Sequence, residues 1–203
     1  MQCARRVEVF REGAKASDLY EVLDGAVIVS ASGPKGRRQI LDIVGRGNWF
    51  GMTSGPTHAS RAETLTPAVL RKIDRAGVAC SKYLNEQLSE QALARLDALH
   101  AHAMLLGRTS AMERIAAFLL QLSTSAFNIG PAAGAGVGDQ MAMGLKQRDI
   151  GDYLGLKVET VSRKLAILKK RTIIAKGKDG QFRLLDVSAL RRLANLDAAP
   201  CPG

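Results

Sequence analysis

Between Val7 and about Asp74 the chain is a succession of short β-prone runs broken by turn residues. VEVF (7–10), YEVL (20–23), AVIVS (26–30), QILDIV (39–44) and AVLRKI (68–73) each have the length of a strand. Gly13, Asp24-Gly25, Gly33-Pro34, Gly45 to Gly47, Gly55-Pro56 and Pro67 separate them. Short strands at such regular spacing predict an antiparallel sandwich or small barrel. Asp24-Gly25 reads as a hairpin turn.

From about Leu84 the period changes to that of a helix, and Gly and Pro are absent through Leu106. Ala92, Leu96, Leu99, Ala103 and Leu106 recur at spacings of 4, 3, 4 and 3, which keeps a narrow stripe on one helix face. Such a stripe suits a two-helix seam, and homodimerisation is the favoured reading. The alternative is that the stripe packs on the sandwich, but Leu88 and Leu93 lie off it and can serve that contact. A second helix, about Ser110 to Ser123, turns Ile115, Phe118, Leu119 and Leu122 to one side and belongs to a core. Asn128 to Gly138 is rich in Gly, Ala and Pro without apolar period, which reads as a flexible linker.

The stretch KQRDIGDYLGLKVETVSRKLAILKKR, residues 146–171, reads as helix, tight turn, helix. Ile150, Leu154 and Leu156 flank Gly151 and Gly155. A small residue lets two helices approach, and a turn glycine can take the left-handed conformation. Projected from Glu159, Val161, Leu165 and Leu168 fall at roughly 200°, 240° and 180°, while Glu159, Ser162, Arg163, Ala166 and Lys170 cluster within about 60° of zero. One face packs and the other is polar. Arg163 can donate to guanine O6 and N7, Glu159 can accept from cytosine N4, and Ser162 can bond either way, the chemistry of major-groove readout. The bland alternative is a solvated face with an intrahelical Glu159–Arg163 pair. Downstream, IIAKGKDGQFRLLD offers two strands around Asp179-Gly180, a hairpin wing, and SALRRLANL closes with a helix. Lys176, Lys178 and Arg183 would meet phosphate there.

Charge distribution supports a polyanion partner. The net charge is +10, and residues 146–195 hold 13 Lys and Arg against 5 Asp and Glu, whereas the rest of the chain carries 16 against 14. An evenly solvated surface would not concentrate its excess in one quarter of the length. Membrane binding is disfavoured: the basic segment has no aromatic face, and the chain has no apolar run of about 18 residues. The first residues do not read as a signal peptide, so a cytoplasmic location is expected. Cys3, Cys80 and Cys201 are far apart and without CxxC spacing, which argues against a disulfide framework and a zinc site. No paired carboxylates, Ser-His-Asp set or phosphate-cradling loop points to an enzyme.

These residues resemble the CRP/FNR superfamily of bacterial transcription regulators, most of all its FixK-type branch. The matching segments are FREGAKASDLYEVLDGAVIV, GRRQILDIVGRGNWFG, THASRAETLTP and, most specifically, DIGDYLGLKVETVSR. The resemblance implies an α+β chain: an N-terminal cyclic-nucleotide-binding-type β-barrel (jelly roll) over 1–84, a dimerisation helix over 85–108, and a winged helix-turn-helix over 109–203 with its two helices at about 146–168. It also implies that Glu159, Ser162 and Arg163 read a TTGA-type half-site of an inverted repeat in double-stranded DNA. Lys146, Gln147, Lys157 and Thr160 would hold phosphates, and RNA polymerase is an expected partner. The output is transcriptional regulation, more often activation, in an oxygen- or nitrogen-related regulon.

Departures from the family pattern bear on its control. FGMTSG places Met52 where cyclic-nucleotide binders carry a Glu, which leaves Arg61 as a weak candidate effector contact. The three scattered cysteines do not make the four-cysteine iron–sulfur site of oxygen-sensing members. His58, His100 and His102 are the available axial ligands for haem, and satisfied or solvated histidines are the favoured reading. Control without a cofactor is therefore expected, the alternative being an effector-gated regulator whose barrel takes a cyclic nucleotide, haem or another small molecule. Lys157 stands where many members place a capping Ser or Thr, and Lys164 where the motif is usually apolar. The chain starts almost at the barrel, without the extension many members have, which suggests a late start.

Overall fold

Strands dominate the regular structure of the first third of the chain in the computed structural model, which describes residues 1–33, 36–108, 110–123, 145–176 and 182–196. They are β1 (Gln2–Cys3), β2 (Glu8–Phe10), β3 (Asp18–Asp24), β4 (Ala26–Ser32), β5 (Arg38–Gly45), β6 (Trp49–Phe50), β7 (Arg61–Thr64) and β8 (Ala68–Asp74). Two four-stranded antiparallel sheets result, ordered β1-β8-β3-β6 and β2-β7-β4-β5. The five apolar runs read from the sequence are all strands, in whole or in part. Three short ones were not legible. β7 is polar by composition, yet it crosses the middle of its sheet with Ala62 and Thr64 fully buried.

Asp24-Gly25 is a turn but not a hairpin. β3 pairs with β6 and β8, whereas β4 pairs with β5 and β7, so this turn carries the chain from one sheet to the other. Gly25 has φ +81°, and a Cβ there would overlap the Pro67 carbonyl oxygen. The crossing brings the chain so close to the β7–β8 connection that only glycine fits. The true hairpin is β4–β5, paired from Ala26↔Gly45 to Ser32↔Arg38 with one register shift between Val29 and Ser30, and Gly33 N–H donates to Arg37 O at 2.7 Å.

Between the sheets lie Phe10, Tyr20, Val22, Val27, Val29, Val44, Phe50, Ala62, Ala68 and Leu70. His58 joins this core, stacked on Phe10 with ring centroids 3.7 Å apart. Burial pushes its pKa below the ordinary imidazole value, and the Arg75 cation adds to the shift, while Asp18 opposes it. Arg75 itself donates to the carbonyls of Ala16 at 3.1 Å, Gly55 at 3.3 Å and Thr53 at 2.9 Å, pinning the loop that follows β6 to the one that precedes β3.

Helix α1 (Arg75–Cys80) follows, started by Asp74, whose carboxylate accepts the Ala76 N–H, and then α2 (Lys82–Leu106). Leu84 and Leu88 of α2 pack against Leu19, Trp49 and Val78. Leu93, expected to share that contact, is instead 67% exposed. Five residues beyond Leu88, it lies about 140° further around the helix, too far to reach the sandwich that Leu88 touches.

One compact unit spans Met1–His102 and a second begins at Ala103, so the boundary falls inside α2. The second unit holds α3 (Ala111–Ser123), α4 (Gln147–Leu154), α5 (Val158–Lys170), β9 (Ile174–Lys176), β10 (Phe182–Leu184) and α6 (Val187–Leu193). Ser110 and Glu113 cap α3 reciprocally: Ser110 Oγ accepts the Glu113 N–H at 3.1 Å, and Glu113 accepts the Ser110 N–H at 3.4 Å. Ile115, Phe118 and Leu119 are buried as their spacing predicts, but Leu122, near the helix end, is only half-buried. The proposed linker at 128–138, the Asp179-Gly180 turn and Cys201 lie outside the described residues. No described helix is long and apolar enough to cross a membrane.

Gly25→Ala should destabilise the first unit by about 1–3 kcal/mol, because the left-handed conformation and the clash with Pro67 act together; thermal melting checks this. A second expectation concerns acid. Since the folded His58 pKa lies below that of the unfolded chain, the unfolded state takes up the proton first, and stability falls as pH drops through about 6.5. The wild-type chain should lose more stability than His58→Gln over that step, measured by urea titration at each pH.

Candidate nucleic-acid interface

Helix α4 begins at Lys146, whose backbone N–H donates to the Asp149 carboxylate at 3.1 Å. Asp149 is 3% exposed and was missed in the sequence. An acid three residues into a helix is the legible half of a capping box, but the Ser or Thr that advertises the other half is absent here. The helix ends at Gly155, in the left-handed conformation with φ +65°. Leu156 N–H then donates back to Gly151 O at 2.9 Å, closing a tight turn. A Cβ on Gly151 would stand 2.7 Å from the Leu156 carbonyl oxygen, so the absence of a side chain there is what allows the turn to fold onto α4. Both glycines thus do what their positions in the motif suggested.

Helix α5 starts at Lys157, which makes no side-chain capping bond. Its buried residues are Val161, Leu165 and Leu168, the three assigned to the packing face. Glu159, Ser162, Arg163, Ala166 and Lys170 are exposed, and Thr160 and Lys164 are half-buried at the boundary. From α4, Lys146 is exposed and Gln147 half-buried. Lys157 stands exposed at the α5 start. Tyr153 of α4 packs on Phe118 of α3 with ring centroids 5.1 Å apart. Arg114 was also missed; it donates to Leu154 O at 3.4 Å and to Arg108 O at 2.9 Å, tying α3 to the end of α4.

After α5, β9 and β10 pair in antiparallel register, Ile174↔Leu184 and Lys176↔Phe182, as a wing. Lys169 stands 5.5 Å from the Phe182 ring centroid. Lys176 closes β9, Arg183 is exposed on β10, and Lys178 lies outside the described residues.

In the first unit, Arg61 lies on the face of β7 opposite Ala62, which is in the inter-sheet core. Its guanidinium contacts Glu63 at 3.4 Å and Glu8 at 3.5 Å, and Glu63 also holds Arg6 and Arg38. Ala62 faces the space between the sheets, whereas the Arg61 guanidinium is engaged by carboxylates on the opposite face of the strand. Met52 packs on the Leu19–Trp49–Val78 cluster. Along α2, Ala92, Leu96, Leu99 and Ala103 are exposed and Leu106 is half-buried. Among the described residues no group of three or more His, Cys, Asp or Glu side chains is placed to hold a metal ion.

Residues 2–79 match the model of the cyclic nucleotide-binding domain, and residues 113–193 match that of the Crp-like helix-turn-helix domain. The nitrogen fixation regulation protein FixK of Rhizobium meliloti is 32% identical over 93% of this chain and 83% of its own length. The chain belongs to the CRP/FNR family, in its FixK-type branch. The solved structure of FixK2 from Bradyrhizobium japonicum superposes with a TM-score of 0.81 at 33% identity, covering 99% of this chain and 98% of that one. The transcriptional activatory protein AadR of Rhodopseudomonas palustris is 28% identical over 92% of this chain and 77% of its own length. As a CRP/FNR-type regulator the chain is a DNA-binding transcription factor and not an enzyme. The residues matched by the Crp-like helix-turn-helix domain, 113–193, include α4 and α5 with the tight turn between them.

Lys157 leaves the first N–H groups of α5 without a side-chain acceptor, so Lys157→Ser should stabilise the second unit by about 1 kcal/mol. Chemical denaturation of the two proteins measures the difference.

Proposed function

We propose that this FixK-type regulator acts as a homodimer that reads an inverted-repeat TTGA-type operator. The observation that carries the reading is the division of α5: three apolar side chains are buried against its neighbours, while Glu159, Ser162 and Arg163 stand together in solvent. In the major groove Arg163 donates two bonds to guanine, and Glu159 and Ser162 contact adjoining base edges. Lys146, Gln147, Lys157, Thr160, Lys176 and Lys178 bind phosphates and set the register without reading sequence. Two such helices meet half-sites one turn apart when the α2 stripe of Ala92, Leu96, Leu99, Ala103 and Leu106 pairs with a second copy. The exposure of Ala92, Leu96, Leu99 and Ala103 supports that pairing.

The dimer works without a cofactor in the cytoplasm and recruits RNA polymerase, activating genes of oxygen or nitrogen metabolism. The names of its relatives, a nitrogen fixation regulator and an activatory protein, support the regulon and the sign of the output.

Arg163→Ala and Glu159→Ala should each weaken binding to the palindrome by about 1–3 kcal/mol while leaving scrambled duplex unaffected. Lys178→Ala should weaken both DNAs alike and reduce the salt dependence. Fluorescence anisotropy with both duplexes at two salt concentrations measures these effects, and equal losses on the two DNAs for Arg163→Ala count against base readout.

A further inference from the structure

Helix α2 carries apolar side chains all round, and those that are exposed include Tyr83, Leu93, Leu96, Leu99 and Met104. Hydrophobic burial alone therefore leaves its rotation about its own axis poorly determined. Between Leu88 and His102 the helix meets the sandwich through polar groups. Gln91 accepts the Trp49 N–H at 3.4 Å and donates to Gly47 O at 3.3 Å. Arg95 forms an ion pair with Asp42. The His102 ring nitrogen Nδ1 lies 3.1 Å from Leu41 O.

The β5 side of these contacts has a local cause. β5 is an edge strand, and its register against β4 shifts between Val29↔Asp42 and Ser30↔Ile40, which makes Leu41 an extra, bulged residue. A bulge takes a residue out of the regular ladder, and here the bulged carbonyl is the one that His102 meets. Asp42, beside it, is 7% exposed and shares the inward side of the sheet with Val29 and Val44 of the core. A carboxylate so placed is strongly disfavoured without a cation, which ties Arg95 to this one position.

Projected from Gln91, the residues Leu84, Leu88, Arg95 and His102 lie within about 60° on one side, and Ala92, Leu96 and Leu99 centre near 100°. Turning the helix by one residue would press the stripe onto the sandwich and strand Asp42. We infer that Arg95 and His102, with Gln91, are positioning residues: they lock the rotational setting of α2 so that Ala92, Leu96 and Leu99 face a second copy of the chain. The inference deepens the dimer reading and rests on it, but the lock is a contact within one chain and can be measured separately.

Two readouts on the full chain test it: amide hydrogen exchange across residues 91–102, and the dimer Kd from sedimentation. Arg95→Gln and His102→Leu should each speed exchange and raise the Kd about tenfold, whereas Arg95→Lys, which keeps the cation, should stay within about threefold of wild type. Fluorescence of Trp49, the single tryptophan, reports whether the sandwich stays folded in each variant. Unchanged exchange in both Arg95→Gln and His102→Leu overturns the lock. Faster exchange with an unaltered Kd overturns its role in presenting the stripe. A wild-type chain that stays monomeric at every concentration refutes the dimer reading, and in that case faster exchange in the variants still establishes the contact, while unchanged exchange removes it as well.

Discussion

The close approach of the α4–α5 turn to Gly151 governs which face of α5 is exposed. The Leu156 carbonyl sits where any Cβ at position 151 would have to be, and the Leu156 N–H bonds back to the Gly151 carbonyl. With Gly155 in a left-handed conformation, those two constraints set the direction in which α5 leaves the turn. The direction decides which residues of α5 are buried. Val161, Leu165 and Leu168 go inward, and Glu159, Ser162 and Arg163, on the opposite side of the helix, are left outside. Without the turn, the charges of this segment would be a basic helix with no reason to present one edge.

In the first unit the comparable decisions are made by polar groups at places where the apolar pattern is ambiguous. Glu63 gathers Arg6, Arg38 and Arg61 on one face of its sheet. Arg75 fastens three carbonyls of two loops. Asp42 engages Arg95 from α2. Each is specific because a buried or half-buried charge tolerates few arrangements, whereas an apolar side chain accepts many. A chain that matches the cyclic nucleotide-binding domain is built here as a sandwich with Met52 turned into its own apolar cluster.

Much of the fold was legible because it depends on local periodicity. Strand-length runs, the heptad-like stripe and the helix-turn-helix each leave a repeating mark that survives without knowledge of neighbours. β7 left none: RAET is central to its sheet only because Ala62 and Thr64 happen to meet the core. Asp24-Gly25 was read as a hairpin because a turn signal reports a change of direction and says nothing of which strand comes alongside. Leu93 was assigned to the sandwich for the same reason, since an apolar residue on a helix does not declare what it will touch. Asp149 and Arg114, both tied into the helix-turn-helix, were missed because charged residues are ordinarily read as solvated.

By itself the sequence determined the longer strands and helices, the two glycines of the turn and the polar face of α5, since backbone conformation and a period of 3.6 residues are properties of the chain. Which sheet each strand joins, which carboxylates are buried, and how α2 is turned against the sandwich were decided by the tertiary structure. Those depend on groups far apart in the chain that become neighbours only when desolvation and close packing force a choice of partner.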